Sequence, residues 1–248
     1  MIEFTLFGVP IRIQPWHWIG LAVIGGALGI RDASGLIIVA LFMIAGFLAI
    51  LLHELGHALT GRRLGGGSAS IDLIFLGGYT QHYNCKLKGK QRALVIAAGP
   101  GCTFLFGVLA LFLCFLIFSN SIPENSLSSL AKTISASIAL VSTPEYAFLI
   151  ADDFSMDKSA AMQLYFIGSM LFVSFWWTLF NILPIYPMDG GQFLAEFVKS
   201  QKKVHLIGII TAITVGLLSL IFLQSFILTA FMVFFAYGNF KNYQSASF

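Results

Sequence analysis

Long apolar runs separated by short polar stretches make up most of the chain. Six of them, at about 15–30, 35–61, 91–119, 160–183, 204–222 and 225–240, approach the roughly 20 residues that a helix needs to cross a bilayer. The first and last are the shortest. Between the second and third the pattern changes. A β-rich run at 71–75, the pair Gly77-Gly78 and a second run at 79–82 predict a hairpin at the membrane edge. Residues 120–159, between the third and fourth, are the one stretch large enough for structure outside the bilayer. There Leu127, Leu130, Ile134, Ile138 and Val141 share one helical face, the pattern of an amphipathic helix lying on the membrane surface. No repeat or separate soluble domain interrupts the pattern. Residues 1–248 are therefore read as one membrane domain: an all-α polytopic protein of about six transmembrane helices with a small β-hairpin.

Composition agrees. With 58% hydrophobic and 10% charged residues, the chain lies far from the near-half and near-quarter of a soluble domain. The net charge of +3, without a basic run interleaved with aromatics, excludes a nucleic-acid partner. Three cysteines without CxxC spacing predict neither a disulfide framework nor a cysteine metal site. The first residues carry no basic cluster and no small-residue cleavage site follows, so the first apolar run is expected to stay in the protein.

The placement of charge is more informative than its sum. With the N-terminus cytoplasmic, eleven basic residues (Arg12, Arg62, Arg63, Lys86, Lys88, Lys90, Arg92, Lys199, Lys202, Lys203 and Lys241) fall on the cytoplasmic side, against Arg31, Lys132 and Lys158 outside. That asymmetry predicts both ends inside and residues 120–159 outside.

The candidate chemistry is concentrated in His53-Glu54-Leu55-Gly56-His57. On a helix, histidines four apart face the same way and can offer two imidazoles to one Zn²⁺, with Glu54 beside a water there. Ionisable groups in a span are costly unless paired, hydrated or bound to metal. The bland reading is a polar network between helices. A catalytic zinc needs a third protein ligand, and Asp189 in Pro184-Ile185-Tyr186-Pro187-Met188-Asp189-Gly190-Gly191 is the candidate at the same depth. The prolines break the helix and the glycines let backbone come close. His17, between Trp16 and Trp18, and His205, beside Lys202 and Lys203, are expected at the membrane interface. His82-x-x-Cys85 is too sparse for a second metal, and Gly25-x-x-x-Gly29 is a weak helix-packing motif.

The HExxH motif, followed by Asn181-x-x-Pro184-x-x-Pro187-x-Asp189-Gly190, resembles the site-2 protease family of intramembrane zinc metalloproteases. Phe7-Gly8-Val9-Pro10-Ile11-Arg12-Ile13, Leu76-Gly77-Gly78-Tyr79 and Ala98-Gly99-Pro100 are similar to further family segments, so the resemblance covers about 7–195. It implies one zinc ion on His53, His57 and Asp189, Glu54 as the group that activates water, and Asn181 as a group that places the substrate peptide. The glycine-pair strand with Gly77, Gly78 and Tyr79 is expected to hold substrate by β-augmentation. Two positions depart from the pattern: Phe75-Leu76 stand where Pro is frequent, and Thr103 where Asn is frequent.

The implied activity is hydrolysis of peptide bonds in or near transmembrane segments, in regulated intramembrane proteolysis or in clearing signal-peptide remnants. The implied partners are a transmembrane protein or peptide substrate, the lipid bilayer and a regulatory membrane partner. The expected setting is a prokaryotic cytoplasmic membrane, with the site toward the cytoplasm and no room for a PDZ or CBS domain. The alternative kept open is a proteolytically silent membrane adaptor or a metal-binding membrane protein.

Overall fold

The computed structural model of the chain describes residues 1–121, 127–153 and 156–246, side chains excepted at 118–133. Two short strands, β1 (Ile2–Leu6) and β2 (Val9–Ile13), precede a ten-residue helix α1 (Pro15–Ile24) and a 3-10 turn at Ala27–Gly29. Then comes α2 (Ala33–Gly65), whose start is capped by the Asp32 carboxylate accepting from Gly35 N–H at 2.8 Å. Its 33 residues extend about 50 Å. A hairpin follows, β3 (Ser68–Ile74) and β4 (Gly77–Tyr83), and then α3 (Lys90–Ser121), α4 (Leu127–Ser142), α5 (Tyr146–Asp153), α6 (Lys158–Ile182), α7 (Asp189–Phe197), α8 (Gln201–Phe222) and α9 (Phe226–Ser245).

Among the described residues, four helices are long and apolar enough to cross a membrane: α2, α3, α6 and α8. The first and last expected spans differ from these. At ten residues, α1 rises about 15 Å, half of a bilayer core. α9 is long enough, but its second half carries Asn239, Lys241, Asn242 and Gln244.

The predicted hairpin is half of a four-stranded sheet, in the order β1-β2-β3-β4, with β2 and β3 parallel. The first hairpin escaped the sequence pattern because Phe7-Gly8 form a tight turn between two short strands, Phe7 itself at φ 50° and Gly8 at φ 72°. Val9, Ile11, Ile13, Ala69, Ile71 and Leu73 alternate onto one face and pack on Ile50, Leu51, Leu55 and Ala58 of α2. The sheet therefore lies along the C-terminal half of α2. Beside the N-terminal half runs α1, in the opposite direction: His17 meets Phe47, Leu21 meets Gly46, and Gly25 meets Phe42. A second core joins α2, α3, α4, α5 and α6 through Ala45, Ala49, Phe106, Ala110, Leu140, Ala147, Leu164 and Tyr165.

Several expectations change on contact with this arrangement. The turn of the second hairpin is Phe75-Leu76, with Phe75 at φ 48°, and Gly77-Gly78 instead open β4. α4 exists, but it packs inward through Ala136 and Leu140 and leaves Ile134 and Ile138 exposed. Leu127 and Leu130 have side chains outside the described residues. His17 is fully buried against Trp18 and Phe47 and so faces neither lipid nor water; of residues 16–18 only Trp16 is exposed. His205 is buried too, bonded through Nδ1 to Asn239. Of the Gly25/Gly29 pair Gly25 meets Phe42 of α2, whereas among the described residues nothing lies within 4 Å of a Cβ built on Gly29. His82 and Cys85 each hydrogen-bond an α2 carbonyl, of His57 and Gly61 respectively.

Candidate metal centre

The two histidines occupy one turn of α2, 20 residues or about 30 Å along the helix from Ala33. His53 Nε2 and His57 Nε2 are 3.1 Å apart, and Asp189 Oδ2 lies 3.0 Å from the first and 3.3 Å from the second. All three residues are buried.

Neighbours on α3 dictate where the ring protons sit. His57 Nδ1 is 2.8 Å from the carbonyl oxygen of Val95, which can only accept, so Nδ1 carries the hydrogen. His53 Nδ1 is 3.0 Å from Thr103 Oγ1, and that hydroxyl spends its one proton on Gly99 O at 3.1 Å. Thr103 must therefore accept from His53. In its neutral form each imidazole then turns an unprotonated Nε2 inward.

With both rings neutral, three electron-pair donors face one another at 3.0–3.3 Å, and among the described residues no other side chain donates to Asp189 Oδ2. Such a cluster needs a cation within it, either a proton shared between ring and carboxylate or a metal ion. The edge of a tetrahedron with Zn–N and Zn–O arms near 2.0–2.1 Å is about 3.3 Å, which the observed triangle nearly matches. Buried, with neutral nitrogens and one carboxylate, the trio suits a divalent ion such as Zn²⁺.

The glycine-proline step in α3 makes this approach possible. A Cβ on Gly99 would stand 2.2 Å from His57 Nε2, and one on Gly56 would stand 2.5 Å from Ala98 O. Bare backbone at both positions lets α2 and α3 touch. Pro100, inside α3, removes a rung of the ladder in the same turn, where Val95 O and Gly99 O serve side chains.

Glu54 sits between this trio and the sheet. Thr80 on β4 donates its hydroxyl to Glu54 Oε2 at 2.7 Å, and a Cβ on Gly78 would fall 2.3 Å from Glu54 Cγ. Gly78 is thus needed for clearance over the carboxylate, not for the turn. Gly78, Thr80 and His82 all face α2, whereas Tyr79 points to the opposite face and is exposed. β4 is an edge strand. The two-residue turn makes Ile74↔Gly77 a hydrogen-bonded pair, as are Asp72↔Tyr79 and Ser70↔Gln81, so the backbone groups of Gly78, Thr80 and His82 point away from β3.

Asn181 is not drawn into the trio directly. Its amide donates to Trp177 O one turn back, at 2.9 Å, and among the described residues Oδ1 and the second N–H have no partner. The Trp177 ring stands edge-on to His53, 6.1 Å between centroids, and reaches within 3.7 Å of a Cβ built on Gly77. Three contributors escaped sequence reasoning. Thr103 stood out only as a departure from a motif, Thr80 as one residue in a β-run, and Asn239 had no signal beyond an amide in an apolar helix.

The model of Peptidase family M50 matches residues 41–223, most of the chain. A zinc metalloprotease of Methanocaldococcus jannaschii is 23% identical over 198 residues, 80% of this chain and 45% of its own length. The chain thus spans about half the length of that curated relative. The solved site-2 protease from the same organism aligns with 100% of this chain and 97% of its own, at a TM-score of 0.55 and 21% identity, a likeness of fold.

Proposed function

The chain belongs to peptidase family M50, and from that premise we propose that it is an intramembrane zinc metalloprotease hydrolysing peptide bonds within or beside the transmembrane segments of membrane proteins. The observation that carries this reading is the buried convergence of His53, His57 and Asp189 beside a glutamate that faces the edge of a β-strand.

His53, His57 and Asp189 hold the zinc, which supplies Lewis-acid chemistry for a water and a peptide carbonyl when bound. Glu54 takes the proton of the attacking water and delivers it to the leaving amine. Thr80 engages Oε2 of that carboxylate and leaves Oε1 for the proton. A substrate helix must unwind first, because each of its carbonyls is engaged within the helix. Unpaired amides in a bilayer cost several kcal/mol each. The outward N–H and C=O groups of Gly78, Thr80 and His82 can take them up by strand addition, and the free amide groups of Asn181 are placed to bind the same chain from α6.

The proposed topology has six passes with both ends cytoplasmic, a single domain, and the site toward the cytoplasm of a prokaryotic membrane. Support comes from the sheet. β2 pairs with β3, so residues 1–13 lie at the end of α2 that carries the site, and the chain from 14 to 32 must return to the opposite end. α1 and the segment after it make that pass together. α9 lies antiparallel to α8, with His205 facing Asn239 and Ser219 facing Thr229, so it returns if α8 crosses. The eleven basic residues then share one face. Regulation falls to a membrane partner or to substrate access.

The test is cleavage of a single-span substrate by the purified chain in nanodiscs, with the cut sites mapped by mass spectrometry. The reading expects cleavage that a chelator stops and zinc restores, at bonds in or bordering the apolar segment. Cleavage indifferent to chelator, or confined to remote soluble loops, would overturn it.

A further inference from the structure

Asn239, in α9, is fully buried and engages both its amide N–H groups and its oxygen. Its Oδ1 accepts from His205 Nδ1 on α8 at 3.1 Å, and its Nδ2 donates to Phe235 O at 2.9 Å and to Tyr186 O at 2.6 Å. Gly208 keeps α8 close enough, since a Cβ there would lie 2.6 Å from Asn239 Oδ1. Tyr186 stands three residues ahead of Asp189. Its ring meets the His205 ring edge-on at 5.6 Å, and beside it Ile185 is buried against Ala212 and Met232.

Residues 183–188 have little regular structure to hold them. Pro184 and Pro187 have no N–H to give, and the loop's own backbone bonds are Ile185 N to Leu183 O and Met188 N to Ile185 O. α7 packs back on it through Gly190 and Gly191, where a Cβ would stand 2.0 Å from Ile182 O and 2.4 Å from Tyr186 N. The shape of the loop is therefore imposed from outside: Leu183, Ile185 and Met188 pack on the apolar cluster around Ala212 and Met232, Gln192 of α7 donates to Pro187 O at 2.8 Å, and Asn239 holds Tyr186 O from the α8–α9 pair. In apolar surroundings an amide with three partners is a strong locator, because misplacing it leaves buried groups unpaired.

We infer that Asn239, oriented by His205, is a positioning residue for the third metal ligand: the α8–α9 pair latches the Tyr186 carbonyl and so holds Asp189 against His53 and His57. The inference rests on the zinc site proposed above and adds α9, which lies beyond the family-matched residues. A latched loop loses less freedom when metal binds, so affinity depends on a group that never touches the ion.

The experiment compares the full chain with Asn239→Leu, Asn239→Asp and Gly208→Ala in nanodiscs. Asn239→Asp keeps the acceptor for His205 and loses both donors; Gly208→Ala removes no polar group and displaces the amide. Hydrogen exchange at 185–189 is read on the metal-free chain without substrate. Zinc dissociation is read by chelator competition, and site symmetry by the visible spectrum of the cobalt form. The latch predicts faster exchange at 185–189 and roughly 10-fold weaker zinc in all three, of the order seen when outer-shell partners are lost. It also predicts a shifted cobalt spectrum. His205→Asn, which keeps an N–H where Nδ1 stands, should restore most of what His205→Phe loses. Unchanged exchange and zinc affinity in the folded Gly208→Ala and Asn239→Asp chains would overturn the inference. If zinc instead sits elsewhere, Asp189→Ala keeps its metal while the exchange difference at 185–189 persists, so the two failures are distinguishable.

Discussion

His53 and His57 come from one turn of α2, aligned by their four-residue spacing, and α3 fixes each ring through its Nδ1. Asp189 comes from the far side of a stretch with two prolines between α6 and α7, where Asn239 of α9 bonds the chain three residues earlier. The first half of the centre is local and rigid: its geometry follows from helix periodicity and from two bare glycines at the α2–α3 crossing. The second half is long-range and irregular, and its geometry depends on side chains 50 residues further on. The difference separates two kinds of damage. Changes in the helical half should rotate a ligand that is still present, whereas changes in the loop half should withhold one.

The largest effect expected from this contrast belongs to Asp189→Ala. It removes the only anionic ligand while leaving α2 and α3 intact, so zinc affinity should fall by more than the roughly 10–100-fold typical of outer-shell losses, and cleavage should disappear. Zinc titration of the purified variant checks this; full metal at limiting zinc would show that the loop half supplies no ligand.

How much of this was legible in the sequence follows the same division. Helical spacing made His53, Glu54 and His57 visible as one face, and the apolar runs gave α2, α3, α6 and α8. Asp189 stood out only through its proline-glycine setting, and nothing local placed it near the histidines. The parallel pairing of β2 with β3 joins residues about 60 positions apart, which no periodicity reports. The burial of His17 and His205 was hidden for a related reason: a histidine beside tryptophans or lysines looks surface-facing, yet packing against Phe47 and bonding to Asn239 bury them. Gly77-Gly78 looked like a turn because glycine usually signals one, whereas Gly78 is bare to clear Glu54.

A smaller effect probes the helical half. Thr103→Val keeps the shape of the side chain and removes the acceptor for His53 Nδ1–H, so zinc should bind roughly 10–100-fold more weakly. Thr103→Ser should behave nearly as the parent. Equal zinc dissociation in the Val and Ser variants would mean that α3 does not orient His53.

The smallest effect concerns the joint between site and sheet. Thr80→Val removes the hydroxyl from Glu54 Oε2 but leaves the strand backbone in place. Loss of a hydrogen bond to a charged group predicts roughly a tenfold fall in kcat, with KM and zinc content unchanged. A rise in KM alone would instead assign Thr80 to substrate holding.

The central claim is that this buried centre hydrolyses peptides, with Glu54 as the proton carrier beside a metal held by its neighbours. Cleavage of a reconstituted single-span substrate by Glu54→Gln, with its zinc content measured in the same preparation, tests that most directly. Gln fills the same space and cannot take a proton. The account predicts parent-level zinc with turnover lowered roughly 10²–10⁴-fold; parent-level turnover by a zinc-loaded Glu54→Gln chain would contradict it.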